Sequence, residues 1–191
     1  MQIGRHILVF SLLLALLEPA RAAAEQLPDP ELREILRQAA GAADSFDDRF
    51  DAEVWLTDMS GRLERQVRDP DERIEILTRV HYEASRAGLA PELVLAVIEV
   101  ESNFDRYAVS IAGALGMMQV MPFWRDEIGR PDDNLIRLGT NLRYGCTILK
   151  FYMDKEKGDL RRALGRYNGS LGRRKYPNKV IEKLTRKWYQ G

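Results

Sequence analysis

Leu93-Val94-Leu95-Ala96-Val97-Ile98-Glu99-Val100-Glu101-Ser102-Asn103-Phe104 is the stretch on which the fold turns. Pro91 stands two residues before it and fits the first turn of a helix. Leu93, Val94 and Val97 then form one apolar stripe, and Glu101 falls in register with it. Glu99 faces another way, onto a more polar flank with Glu92, because residues two apart on a helix do not share a face. A carboxyl in the last turn of an apolar helix is costly to ionise. Burial disfavours its charged form, and the negative end of the helix dipole acts in the same sense. A glutamate held protonated near neutral pH can give a proton to a leaving group. Glu101 is therefore the candidate catalytic acid, although the same pattern alone also describes a helix-end glutamate with a structural partner.

The surrounding sequence reads as helix almost throughout. Asp69-Pro70-Asp71-Glu72 is a helix start: Asp69 can cap, Pro70 fits the first turn and Glu72 occupies the capping-box position. That helix runs through Ile74, Leu77 and Val80 to Gly88, a C-terminal stop. Upstream, a short amphipathic helix is expected over Pro30–Ala40, a loop or turn over Asp44–Asp51, and a helix over Glu53–Val67 that Gly61 weakens. Downstream come a loop from Asp105 to Ser110, a glycine- and methionine-rich segment from Gly113 to Pro122, and a long helix over Asn141–Glu156 ended near Gly158. Asp159 caps a shorter helix leading into Tyr167-Asn168-Gly169-Ser170, and Pro177–Tyr189 forms a basic terminal helix. No segment alternates as a strand does. The expected fold is all-α, with a compact domain over 69–191 and an acidic helical extension over 25–68.

The chain has 191 residues, enough for one domain plus a modest extension. Residues 1–24 read as a secretory signal peptide: Arg5 and His6, an apolar run from Ile7 to Leu17, then Ala20-Arg21-Ala22 and Ala22-Ala23-Ala24 as cleavage sites. The run is short for a membrane span, and no cysteine follows it, which argues against a stable membrane anchor. The single cysteine, Cys146, cannot form an internal disulfide and sits among Leu142, Ile148 and Leu149 as an inert core residue. His6 and His81 are the only histidines, so a Cys–His or Ser–His hydrolase and a zinc cluster both lack support. No metal and no cofactor is expected.

Formal net charge is zero, but its distribution is uneven. Residues 25–80 carry 8 basic against 15 acidic residues, a net of −7, and residues 81–191 carry 19 against 13, a net of +6. The basic end can attract an acidic polymer or simply be a solvated face. An export signal and the absence of a nucleic-acid motif argue against a nucleic-acid partner.

Three motifs follow one another along these helices: Glu101-Ser102-x-Phe104, then Gly113-Ala114-x-Gly116-x-Met118-Gln119-x-Met121-Pro122, then Tyr167-Asn168-Gly169. Each has a plain reading. Glycines punctuate turns, at least two of Met117, Met118 and Met121 belong to the core, and Asn168-Gly169 suits a helix C-cap. Gln119 also offers an amide that both donates and accepts, which suits sugar hydroxyls and acetamido groups. In this order the three motifs resemble the soluble lytic transglycosylase family, whose catalytic domain has the goose-type lysozyme fold. The resemblance covers about Ile74 to Lys179.

The resemblance implies a catalytic role for Glu101 and a substrate role for its neighbour Ser102. It implies that Ser110 contacts substrate, that Gln119 and Met121 line a glycan groove, that the Tyr167 hydroxyl lies near the catalytic carboxyl, and that Asn168 shapes the site. Met117 stands where leucine is more usual, and Ser170 follows Tyr167-Asn168-Gly169 where Tyr-Asn-Ala-Gly is common. The implied activity is that of a periplasmic peptidoglycan lytic transglycosylase: the bond between N-acetylmuramic acid and N-acetylglucosamine is broken without water, leaving 1,6-anhydro ends. Glycosidases in general need two carboxyl groups at a set separation. Here Asp105, Asp126, Glu127, Asp132 and Asp133 offer no convincing second. A lysozyme-like muramidase on the same fold and a non-catalytic cell-wall binder remain open, as does recruitment by cell-envelope machinery.

Overall fold

The helix opened by Pro91 runs to Glu101 and lies at the heart of a computed structural model that describes Ser45 and residues 48–189. Leu93 to Glu99 are all buried, so this helix is enclosed on every side rather than on one face. In chain order the elements are α1 (Arg49–Leu63), α2 (Pro70–Ala87), α3 (Pro91–Glu101), α4 (Trp124–Ile128), α5 (Leu138–Lys155), α6 (Leu160–Tyr167), α7 (Lys175–Lys183) and a π-helical turn, Leu184–Trp188. Around α3 pack α2, α7 and the terminal turn, while α5 bridges α2 and α6. Among the described residues no strand forms. Two isolated bridges, Val109 with Leu115 and Leu115 with Val120, fold the glycine-rich segment back on itself. The fold is all-α. The signal peptide read over 1–24 and the helix read over Pro30–Ala40 lie outside the described residues.

The helix signals act locally as their chemistry requires. Asp69 Oδ1 accepts from the backbone N–H of Asp71 at 2.9 Å and of Glu72 at 3.5 Å. Gly88 ends α2 with φ +68°, the left-handed cap that glycine adopts without a Cβ clash. Asp159 accepts from Arg162 N at 3.0 Å and starts α6.

Two boundaries depart from the sequence reading. α1 begins at Arg49, inside the segment read as a loop, because Asp48 caps it by accepting from Asp51 N at 2.8 Å. The exposed Gly61 does not break it. The terminal α-helix starts at Lys175 and yields to the wide turn at Leu184. That turn carries Trp188 inward, fully buried, where its indole N–H donates to Glu99 Oε2 at 2.8 Å.

α1, the described part of the acidic extension, packs into the core. Its Ala52, Leu56, Met59 and Leu63, with Val67 beyond, belong to the same core cluster as Leu95 and Trp188. Trp55 Nε1 donates to Glu92 Oε1 at 2.7 Å and Arg62 donates to the Lys187 carbonyl, tying α1 to α3 and to the chain end. The acidic residues of this segment coat the outside of a helix whose inner face is apolar.

Glu99 is not on a polar flank. It is 7% exposed and ringed by cations and donors: Lys183 Nζ at 2.6 Å, Lys187 Nζ at 3.3 Å and the Trp188 indole. These partners outweigh its burial and hold its carboxyl below the ordinary glutamate range. It is a structural ion pair that fastens the C-terminal turn to α3.

Candidate active site

Glu101 ends α3 half-buried, and burial lifts its pKa from 4.5 to about 7. One hydrogen bond opposes the rise: Tyr176 Oη donates to Glu101 Oε1 at 2.6 Å. Tyr176 sits in the first turn of α7 beside the buried Pro177. Two glutamates two residues apart on one helix are thus tuned in opposite senses, Glu99 to stay ionised and Glu101 to hold a proton near neutrality.

The chain turns sharply after this carboxyl. Asn103 and Phe104 both take left-handed backbone, φ +51° and +67°. Such conformations are strained in non-glycine residues, by roughly 1–3 kcal/mol each, and persist only where the surroundings hold them. Here Phe104 is buried against Trp188, ring centroids 5.6 Å apart. The reversal delivers the chain to Asp105, whose carboxylate accepts from Tyr107 N at 2.8 Å and closes a local turn. Arg106 then anchors the loop to α2 through Glu75 at 3.1 Å.

The segment from Gly116 to Gln119 forms the wall beside Glu101, and its backbone is pinned from three directions. Ser102 Oγ donates to Met117 O at 2.8 Å. Tyr167 Oη donates to Met118 O at 2.8 Å. Asn141 Oδ1 accepts from Met118 N at 2.8 Å, while its Nδ2 donates to Leu115 O and Leu135 O, each at 2.8 Å. Gly116, at φ +70°, lies so near that a Cβ there would meet Asn141 Nδ2 at 2.6 Å. Gly145 on α5 leaves room for Met118, whose sulfur would stand 2.3 Å from a Cβ.

The residues singled out in the sequence fall into two groups. Glu101, Ser102, Gln119 and Tyr167 converge on this wall. The Tyr167 hydroxyl, however, donates to Met118 O, and it is Tyr176 that reaches the carboxyl. Burial and the nearby charge of Glu101 push the Tyr167 phenol well above its usual range, so it stays protonated and keeps donating. Gln119 directs its NH2 to Gly116 O at 2.9 Å and Ala108 O at 3.2 Å, which leaves its Oε1 as the acceptor for a ligand. Ser110 Oγ accepts from Ala114 N at 3.0 Å, so its own proton remains to donate. Met117 and Met118 are core, and Met121 is half-buried. Asn168 is exposed at the end of α6 and serves as its C-cap, with Gly169 beyond it at φ +69°. Sequence reasoning passed over Tyr176 and Asn141.

Elsewhere two other perturbed groups are committed to structure. Asp133 Oδ2 accepts from Tyr144 Oη at 2.5 Å, and this bond holds its carboxyl below the ordinary range. Burial pushes the Cys146 thiol far up, which leaves it inert. Among the described residues no group of three or more His, Cys, Asp or Glu side chains is placed to hold a metal ion.

Because the Tyr176 bond stabilises the carboxylate, its removal raises the Glu101 pKa further. In Tyr176→Phe the Glu101 titration, followed by carboxyl-carbon NMR, moves to higher pH. An unchanged midpoint means that the hydrogen bond does not form.

Residues 79–188 match the family model of the transglycosylase SLT domain. A membrane-bound lytic murein transglycosylase C of Actinobacillus pleuropneumoniae serotype 5b is 42% identical over 69 residues, 36% of this chain and 17% of the relative. The protein of the same name from Yersinia pestis is 30% identical over 112 residues, 50% of this chain and 31% of the relative. The chain therefore spans less than a third of the length of these curated relatives. An X-ray structure of an inactive mutant of lytic transglycosylase Slt from Pseudomonas aeruginosa aligns at a TM-score of 0.45 and 20% identity, covering 82% of this chain and 34% of that one.

Proposed function

The chain belongs to the transglycosylase SLT domain family, and we propose that it is an exported, periplasmic peptidoglycan lytic transglycosylase. Glu101 gives its proton to the oxygen linking N-acetylmuramic acid to N-acetylglucosamine. The substrate's acetamido group stabilises the developing positive charge. Glu101, now a carboxylate, takes the proton from the 6-hydroxyl of the muramic sugar, whose oxygen closes the 1,6-anhydro ring. The carboxyl is returned protonated, and no water is consumed. Tyr176 holds the carboxylate in place between the two steps.

The observation that carries this reading is the isolation of Glu101. Its acidity is set by burial and by Tyr176, with no second carboxylate acting on it. The other acidic groups near it in sequence are accounted for. Asp105 closes a turn, Asp126, Glu127 and Asp132 are exposed, and Asp133 is held by Tyr144. A hydrolase of the usual kind needs a second carboxyl across the bond to act as nucleophile or to activate water. One group poised near neutrality suits successive acid and base roles. The relatives' names give the same reaction and call those proteins membrane-bound, and the leader read over 1–24 supports export. Among the described residues no helix is long and apolar enough to cross a membrane.

Mass spectrometry of the products from purified glycan strands tests the reaction type. Anhydro-ended fragments are expected. Fragments one water heavier would assign a muramidase instead, and binding without release would assign a cell-wall assembly factor.

A further inference from the structure

The connection between α6 and α7 leaves Tyr167, the last residue of α6, and runs to Lys175, next to the Tyr176 whose hydroxyl donates to Glu101 Oε1 at 2.6 Å. It therefore passes beside the carboxyl. Its last residues are Arg173 and Arg174, and Lys175 opens α7. All three are exposed, and no acidic partner meets any of them among the described residues. Lys155, Lys157, Arg161 and Lys179 likewise meet no acidic partner among the described residues, but Arg173, Arg174 and Lys175 directly precede the tyrosine that bonds Glu101. Arg162 and Arg166 both bind Glu156, Lys183 and Lys187 bind Glu99, and Arg186 pairs with Glu182. Those cations are neutralised where they fasten the fold, whereas these three stand open in succession just before Tyr176. Exposed like charges adjacent in sequence repel one another, so their grouping gains nothing for stability. They do not depress the Glu101 carboxyl, whose shift comes from burial and Tyr176.

We propose that Arg173, Arg174 and Lys175 form a cationic rim that selects glycan strands bearing carboxylate-rich peptide stems. The inference rests on the reading of the site as a peptidoglycan-cleaving one. On such a strand the muramic sugar carries the peptide through its lactyl group, so free peptide carboxylates lie a short reach from the bond that Glu101 attacks. Two arginine forks and an ammonium suit several carboxylates displayed on a flexible chain. A nucleic acid or an anionic lipid surface would also be attracted. The three cations directly precede the tyrosine that bonds Glu101, however, which favours a ligand delivered with the substrate.

The test compares strands carrying their stems with strands stripped by an amidase, using the wild type and the variant R173Q/R174Q/K175Q. The wild type should prefer stem-bearing strands, and this preference in kcat/KM should fall roughly tenfold in the variant, as three exposed charge contacts allow. The wild-type preference should also weaken as salt rises. An equal loss on both strands, or none on either, overturns the proposal. So does a binding loss that appears with anionic phospholipid vesicles and not with sacculi. Cosedimentation of Glu101→Gln protein with intact and stripped sacculi, with and without the rim substitutions, reads the rim without catalysis. If no strand is cleaved but rim-dependent binding of stem-bearing sacculi persists, the reaction assignment fails while the rim stands.

Discussion

Glu101→Gln abolishes the cleavage of purified sacculi, while the protein stays folded and still cosediments with them. Glutamine fills the same volume, and its amide oxygen can accept the Tyr176 hydroxyl as Oε1 does at 2.6 Å. What it lacks is the proton. General acid or base catalysis contributes roughly 10²–10⁴-fold, and here one group performs both steps, so the loss should lie at or beyond the upper end. Turnover of sacculi is the measurement, and digestion at the wild-type rate would sink the mechanism. The wild-type pH profile gives a second reading. The acid must be protonated to act, so kcat/KM should fall as pH rises through about 7.

Stability should fall with rising pH as well. The folded pKa of Glu101 is raised above its unfolded value, so the protonated carboxyl favours the fold fully below pH 4.5, and that contribution fades as pH climbs to about 7. Above that, the ionised carboxyl weighs against the fold. Glu101→Gln should therefore gain in Tm relative to wild type between pH 5 and pH 8. A constant difference across that range would mean that the carboxyl titrates normally.

What the sequence discloses and what it hides follow from how far each interaction reaches. Asp69, Gly88 and Asp159 mark helix ends through bonds to residues two to four positions away, so they can be read locally. Glu101 was legible because its neighbours in sequence are also its neighbours on an apolar helix. Tyr176 was not, since 75 residues separate it from the carboxyl and only the packing of α7 on α3 joins them. The expected tyrosine near the carboxyl is Tyr167, whose phenol feels the charge of Glu101 while its hydroxyl donates to the wall. Glu99 was misread for the same reason: Lys183, Lys187 and Trp188 lie more than 80 positions on. The apolar inner face of α1 is legible in the spacing of Leu56, Met59 and Leu63, while its acidic residues mark only the outer face.

Asn141 was missed too, and its replacement carries the second large effect. Asn141→Leu keeps the volume and removes three hydrogen bonds at once. It orphans Met118 N and Leu135 O, both in buried contacts, and leaves Leu115 O with the Val120 N–H alone, at 3.0 Å. An unmet buried polar group costs about 1–3 kcal/mol, so a loss of about 3–5 kcal/mol in stability is expected, visible as a large fall in Tm. The damage should not stop at stability. Met117 O and Met118 O receive Ser102 and Tyr167, which hold the end of α3 and the end of α6 against the same wall. A wall that drifts lets Glu101 leave its aim, so kcat on glycan strands should fall even well below the melting temperature. Gly116→Ala attacks the junction from the other side, through a Cβ that would overlap the Asn141 amide in a φ unfavourable to alanine. It should produce the same paired loss. If Asn141→Leu melts early yet cleaves at the wild-type rate while folded, the wall is held by Ser102 and Tyr167 alone. If both losses appear, one buried amide on α5 sets the aim of a carboxyl that it never touches.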